Sequence, residues 1–395
     1  MISFDRKKLY LFFYPLVIAE EIFRRSHYCD FSFFRYLCFA VLAIACLFAA
    51  LKLGLDVYQR KISSRNLLVI CVGFLYFAFL LLRKQTDAVM VLWLFIAAGH
   101  DVNYGSQLKA AAFSMIVSVF VVALSSLSGV IDNTSTIRIR DNIEYTRSGL
   151  GFREAYQISY FTFFSMLAWF GSRRSEVSWI EIVIWLFLAF AIYKQSDTRG
   201  PFYLSVLIIV LVAIVKLLPF NAKYFSVFCN VAVLVPFVCA SLVVFQGIFL
   251  DSNSSEFLRE LNMKLTYRLQ LNHGAVQEYG ITLLGTSIDW NIDVTPYQSY
   301  NWVDSVYLYS LLSYGIPFLA GFLAISVKLA IDAGKKKDTY MLLALFAIAL
   351  LGLWDNYCFR VECNPFFLFL AYEVYQPEKA VHHECLEIGD SHEIR

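Results

Sequence analysis

The chain has 395 residues, of which 59% are hydrophobic and only 16% are charged, and its formal net charge is +2. A soluble domain carries about 25% charged residues, so this composition excludes an ordinary soluble protein. The small net charge also argues against a nucleic-acid partner. The composition therefore predicts an all-α polytopic membrane protein.

The apolar runs predict where the chain crosses the membrane. A hydrocarbon core needs roughly 20 apolar helical residues, and shorter runs are weaker candidates. Together with the two shorter runs at the chain ends, the pattern predicts about twelve spans, with both ends on one side and no internal repeat. In chain order the spans are Leu9–Phe23, Leu37–Leu55, Leu67–Leu82, Ala88–Ala98, Ala110–Ile131, Ala155–Phe170, Trp179–Tyr193, Phe202–Leu218, Phe225–Phe249, Val303–Leu329, Tyr340–Trp354 and Phe366–Tyr375.

The polar intervals divide the chain into four parts. They are an N-terminal transmembrane bundle (1–249), an extracytoplasmic loop (250–301), C-terminal transmembrane helices (302–375) and a cytoplasmic tail (376–395). A long loop between spans is usually functional or disordered. The recurrence of Leu, Trp and Tyr favours an ordered loop, and the spacing of Leu261, Leu265 and Leu269 predicts an amphipathic helix across its mouth.

The basic residues predict the orientation and a ligand. Lysine follows the positive-inside rule if the N-terminus is cytoplasmic, whereas many arginines then lie on the outer side. Arginine stays charged and presents a fork of donors that matches phosphate geometry, so this surplus indicates an anion such as a diphosphate. The alternative is pairing with outer carboxylates or headgroups, and snorkelling accounts for Arg24, Arg25 and Arg83.

Six arginines remain as candidate diphosphate ligands. Arg199 lies in a turn with Gly200 and Pro201, where a helix start would add amide donors and positive charge. Arg268 lies on the predicted amphipathic helix of the outer loop. The other four share one outer loop with few counter-charges, namely Arg138, Arg140, Arg147 and Arg153.

Three residues are candidates for proton transfer: His273, Glu278 and Asp304. A histidine can act as a base near neutral pH, but a lone histidine more often makes a simple polar contact. Asp304 precedes a span, where an acidic residue also stabilises a helix N-terminus. The outer segments contain no Asp-x-Asp pair to hold a divalent ion over a diphosphate, so we predict no metal and no cofactor.

Three stretches resemble the bacterial repeat-unit polymerases of O-antigen, capsule and exopolysaccharide assembly (the Wzy family, related to O-antigen ligases). They are the turn Thr198–Pro201 (TRGP), the loop Tyr267–Ile288, and the span entry Tyr300–Gly321. NPFFLFLAYE near the C-terminus is similar to the last span of these proteins. The chain departs from them in one motif, because Gly285 lies one position too far from Arg268 for the Arg-x15-Gly pattern of some members.

The resemblance implies a metal-independent, inverting glycosyltransferase of the GT-C type in the bacterial plasma (inner) membrane. Its substrate would be an undecaprenyl-diphosphate-linked oligosaccharide, with membrane lipid, a flippase and a chain-length regulator as further partners. A ligase-like transferase with another acceptor is one alternative. A transporter or flippase is the other, although such proteins carry mid-membrane charges and often repeated halves.

Overall fold

The computed structural model describes residues 5–83, 88–140, 143–217, 222–290 and 302–371. In this part of the chain, seven helices are long and apolar enough to cross a membrane, and two apolar helices are shorter. The expectation of a helical, multi-pass membrane protein is thereby confirmed. The elements in order are α1 (Arg6–Arg24), α2 (Ser32–Tyr58), α3 (Ser64–Leu82), α4 (Ala88–Ala98), α5 (Tyr104–Leu127), β1 (Ser135–Arg140), β2 (Ile143–Ser148), α6 (Gln157–Arg173), α7 (Trp179–Ser196), α8 (Arg199–Leu217), α9 (Ala222–Phe249), α10 (Glu256–Lys264), α11 (Arg268–Tyr279), α12 (Val306–Tyr314), α13 (Ile316–Lys335) and α14 (Thr339–Leu351).

Helix α6 lies at the centre of the bundle. Nearly all of its side chains are buried, and it packs against α5, α7, α8 and α14. The outer helices instead expose large apolar side chains, such as Phe33 on α2 (77% exposed) and Phe187 on α7 (69%). Exposed apolar surface on this scale is unfavourable in water and is expected on helices that face lipid.

The bundle has two ends of different character. Arg6, at the start of α1, pairs with the buried Asp56 beside Lys52 and Asp101, and we call this the ion-network end. Arg25, just beyond the other end of α1, lies over the ring of Tyr357 at 5.5 Å. The cavity described below is lined by Tyr357, so we call this the cavity end.

The predicted span Val303–Leu329 is wrong, because it consists of two helices separated at Gly315. This glycine has a φ of 91°, and a Cβ there would lie 2.3 Å from the carbonyl oxygen of Leu283. The backbone groups at the break are paired with the segment that follows α11: Ile316 N donates to Leu283 O at 3.2 Å and Thr286 N donates to Leu312 O at 2.7 Å. Irregular backbone at membrane depth is tolerated where other protein groups satisfy it in this way.

Two further expectations need correction, and one loop contains strands. The amphipathic helix of the outer loop is two helices, α10 and α11, because Thr266 and Tyr267 have φ values of 59° and 64° and end the first. The arginine-rich outer loop forms an antiparallel hairpin of β1 and β2. The described part of the predicted span Phe366–Tyr375 begins in a short 3-10 helix, Pro365–Leu368, within a buried segment, and residues 372–375 lie outside the described part.

Candidate functional site

A polar cavity of about 740 Å³ opens at the cavity end of the bundle. It lies between the starts of α6, α8 and α12, the α10–α11 junction and the segment that follows α14. Its charged and aromatic lining consists of the cations Arg147, Arg199, Lys264 and Arg268, the acids Glu154, Asp197, Asp304 and Asp355, and the rings of Tyr156, Tyr160, Tyr203, Trp302, Trp354 and Tyr357. Such a lining suits a ligand that is anionic at one end and carries polar rings at the other.

Arg268 and Asp304 form an ion pair in this cavity. The guanidinium Nε lies 3.0 Å from Oδ2 of Asp304, and both side chains are about one-third exposed (37% and 30%). Burial raises the pKa of Asp304 above its ordinary value, although Arg268 acts in the opposite direction. Asp304 therefore holds Arg268, while the residue at the N-cap of α12 is Ser305.

Arg199 is the first residue of α8 and is exposed to the cavity. Within the described part of the chain, no carboxylate lies within ion-pair distance of it. The next residue must be glycine, because a Cβ on Gly200 would lie 2.4 Å from the indole nitrogen of Trp354. The packing of Trp354 against this turn places Arg199 and the first amides of α8 at the wall of the cavity.

Arg147 on β2 is the one arginine of the hairpin whose side chain is seen in the cavity lining. Its Nε donates to the carbonyl oxygen of Ser196 at 2.7 Å, and its Nη2 donates to the hydroxyl of Thr198 at 3.2 Å. These bonds fasten the hairpin to the turn that carries Arg199.

The other three arginines of that loop are placed differently. Arg153 is exposed, pairs with Asp30 at 2.7 Å and does not line the cavity. The backbone of Arg138 and Arg140 lies in β1, in register with Tyr145 and Ile143 of β2. The side chains of Arg138 and Arg140 lie outside the described residues, so their predicted role stays a prediction.

His273 and Glu278 are not brought to the cavity. Nδ1 of His273 lies 3.0 Å from the carbonyl oxygen of Gly247, where α11 packs against α9. Glu278 is exposed on the same helix, and neither residue lines the cavity. Of the three predicted proton-transfer residues, the structure thus places only Asp304 beside the arginines.

Asp355 is a cavity residue that the sequence interpretation missed. It is buried, and one of its carboxylate oxygens, Oδ1, accepts a hydrogen bond from the backbone N–H of Tyr357 at 2.7 Å. Burial and the nearby Asp304 raise the pKa of this carboxyl group to about 8, whereas the hydroxyl of Tyr160 acts to lower it. The available signal was an acidic residue directly after the apolar run that ends at Trp354.

A clamp between two chain segments brings Asp304 and Asp355 to the same cavity. The hydroxyl of Ser305 donates to the carbonyl oxygen of Gly352 at 2.8 Å, and the backbone N–H of Val306 donates to the same oxygen at 3.0 Å. A Cβ on Gly352 would lie 2.6 Å from the side chain of Val306, so a larger residue would push the segments apart. The start of α12 is thereby fixed to the end of α14.

Two groups of side chains among the described residues have the spacing of a metal site, and neither includes a cavity residue. They are His27, Asp30 and Asp132, and Asp56, His100 and Asp101. Existing contacts already occupy both: His27 bonds to Asp30 at 2.6 Å. Likewise, the ammonium group of Lys52 lies between Asp56 and Asp101.

Comparisons of the chain with protein-family models, with curated proteins and with solved structures find no match. The case for a function therefore rests on the cavity and on the short sequence resemblances.

Proposed function

We propose that this chain is a glycosyltransferase that polymerises undecaprenyl-diphosphate-linked oligosaccharides at the outer face of the bacterial plasma membrane. The growing chain is released from its lipid diphosphate and joined to a hydroxyl group of the incoming lipid-linked unit. The observation that carries the proposal is the placement of Arg199 and Arg268 in one cavity at the end of an apolar helix bundle. A GT-C-like organisation of about twelve spans, with cytoplasmic chain ends and an external cavity, belongs to the same proposal.

The leaving diphosphate is assigned to the arginines of the cavity. Arg199 contributes a guanidinium group at the start of α8, where the helix end adds positive charge and free amides. Arg268 contributes a second guanidinium group, now paired with one carboxylate. A diphosphate carries more negative charge than Asp304 and competes for that partner. Charge placed in advance where negative charge develops is the largest catalytic contribution in many enzymes.

The sugar units are assigned to the aromatic side chains that line the same cavity. Tyr203 is 59% exposed there, and the indoles of Trp302 and Trp354 lie on its wall. Aromatic rings present an apolar face to a sugar ring while their polar atoms remain available for hydrogen bonds. The lipid tail then lies along the apolar outer surface of the bundle, in the membrane.

A reconstituted transfer assay tests this proposal. The purified protein is given lipid-linked oligosaccharides extracted from a strain that lacks it, and the polymer ladder is resolved on gels. We expect activity in excess EDTA, a loss of about 10²–10³-fold for Arg268→Ala, and partial rescue for Arg268→Lys, which keeps the charge but loses the fork.

Three results would contradict the proposal in different ways. Wild-type rates from Arg268→Ala and Arg199→Ala at equal protein levels would remove the diphosphate assignment. Collapse in EDTA with recovery on adding Mg²⁺ would remove the arginine-for-metal argument. Transfer to a lipid A core acceptor, with no chain growth on lipid-linked units, would replace polymerisation with the ligase reaction.

A further inference from the structure

Asp355 differs from Asp304 and Glu154, two other acids of the cavity, in its surroundings. Asp304 has a cation partner in Arg268, and Glu154 is exposed to solvent. Asp355 is only 8% exposed, and no cation of the described chain lies within ion-pair distance of it. It accepts a hydrogen bond from a neutral donor, the backbone N–H of Tyr357, and the hydroxyl of Tyr160 acts to lower its pKa.

The rings of the two tyrosines beside Asp355 are packed against each other and against two arginines. The rings of Tyr160 and Tyr357 are stacked, with centroids 5.3 Å apart and planes 7° from parallel. The guanidinium carbons of Arg25 and Arg360 lie 5.5 Å and 5.1 Å from the centre of the Tyr357 ring. The carboxyl group of Asp355 is therefore fixed in position at the cavity wall, as a proton-transfer group needs to be.

We propose that Asp355 accepts the proton of the acceptor hydroxyl during glycosyl transfer. This inference rests on the proposed function and deepens it, because it assigns a role that the sequence had offered to His273, Glu278 or Asp304. Asp355 is chosen because it lines the cavity beside the Arg268–Asp304 pair and carries no cation that would have to be displaced.

In the proposed step, the oxygen of the acceptor hydroxyl forms a bond to the anomeric carbon of the donor sugar. The bond from that carbon to the diphosphate oxygen breaks, and its electron pair leaves with the diphosphate, facing Arg199 and Arg268. The hydroxyl proton passes to the ionised carboxylate of Asp355. That proton is then released to the water of the cavity, which restores the carboxylate.

The charge environment of Asp355 fixes the direction of the pH dependence. The pKa of Asp355 is raised to about 8 by burial and by Asp304, while the hydrogen bond from Tyr357, the hydroxyl of Tyr160 and Arg268 act to lower it. The groups that face it from neighbouring elements are Asp304, Arg268, Tyr156, Tyr160, Tyr357, Cys358 and Cys363. Below a pH of about 8 most molecules carry a protonated Asp355 that accepts no proton, so transfer rises as the pH increases through this value.

The test compares pH profiles of transfer by the wild-type protein and by Asp355→Asn. Binding of undecaprenyl diphosphate alone is measured on the same samples. We expect a wild-type profile that rises near pH 8. We expect Asp355→Asn to lose at least about 100-fold in transfer above pH 8 and to lack the rising limb, while it retains undecaprenyl diphosphate binding. Wild-type transfer by Asp355→Asn overturns the inference and leaves the proposed function standing, since asparagine keeps a neutral group there but accepts no proton. No transfer by the wild-type protein at any pH overturns both.

Two further variants keep the inference testable if Asp355→Asn fails to fold. Tyr160→Phe removes a hydroxyl group that acts to lower the pKa of Asp355, so the rising limb moves to higher pH. Asp304→Asn removes a neighbouring negative charge, so the limb moves to lower pH, although its maximal rate also falls. A limb that stays in place in both variants overturns the assignment of the proton to Asp355.

Discussion

Lys52 at the ion-network end and Arg199 at the cavity end have opposite surroundings. At the ion-network end, the ammonium group of Lys52 is buried and donates to Asp56 at 2.9 Å, to Asp101 at 2.5 Å and to the carbonyl oxygen of Ala98 at 2.7 Å. At the cavity end, Arg199 is exposed and has no carboxylate partner among the described residues, and Arg147 bonds to a carbonyl and a hydroxyl group.

The difference separates a structural charge from a ligand-binding charge. A buried ammonium group with three acceptors has no hydrogen-bonding capacity left for a ligand. The guanidinium group of Arg199, exposed at the cavity wall, has donors to offer a ligand, and its removal breaks no ion pair among the described residues. The first kind of residue is expected to affect folding when it is replaced, and the second kind is expected to affect binding and transfer.

Replacement of Arg199 should have the largest effect of these variants, and the effect should be confined to transfer activity. Arg199→Ala is expected to lower transfer about 10²–10³-fold, since a positioned donor at the leaving group is lost. Its free energy of unfolding should change by less than about 0.5 kcal/mol, as for other surface positions. The matched control is Arg153→Ala, which removes an exposed arginine paired with Asp30 outside the cavity. Equal transfer losses in the two variants would erase the distinction between the cavity and the rest of the outer surface.

Replacement of Lys52 should have the converse effect, on stability. Lys52→Met leaves the buried Asp56 with Arg6 as its remaining close partner, and a cost of about 3 kcal/mol is expected, at the lower end for a broken buried pair. The measurement is the temperature at which the detergent-solubilised protein loses its gel-filtration peak. Lys61→Met serves as the control, because Lys61 is 45% exposed and lies 3.9 Å from Asp56. Equal stabilities of the two variants would show that Lys52 does not stabilise the ion-network end.

Removal of the Ser305 hydroxyl should have the smallest effect. Ser305→Ala loses the hydrogen bond to Gly352, at a cost of about 1 kcal/mol, and loosens the contact that holds Asp304 near Asp355. We expect transfer to fall several-fold more than in Ser310→Ala. Ser310 is also buried, but its hydroxyl bonds within α12 to the carbonyl oxygen of Tyr307. Identical rates for the two serine variants would show that the clamp does not position the carboxyl groups.

The amino-acid sequence by itself determined the class of the protein and the location of several of its cavity residues. Apolar length is a local property of the transfer free energy into lipid, so hydropathy alone located most of the long apolar helices, although it did not show the break at Gly315. The turn before α8 was also predictable from the sequence, because Gly200 and Pro201 mark a helix start and place Arg199 there. Arg268 and Asp304 were chosen as polar residues in an outer segment, and the structure pairs them.

Only the tertiary structure decided which of the outer polar side chains meet. Asp355 and Tyr160 lie on different elements, far apart in the sequence, and they come together because α6 packs against α14 at the centre of the bundle. His273 looked as suitable as Asp304 until the packing of α11 on α9 turned it toward Gly247. The break at Gly315 depends in the same way on the loop that crosses it. Helix formation is driven by each segment's own burial in lipid, whereas the contents of the cavity depend on contacts between segments that no local pattern encodes.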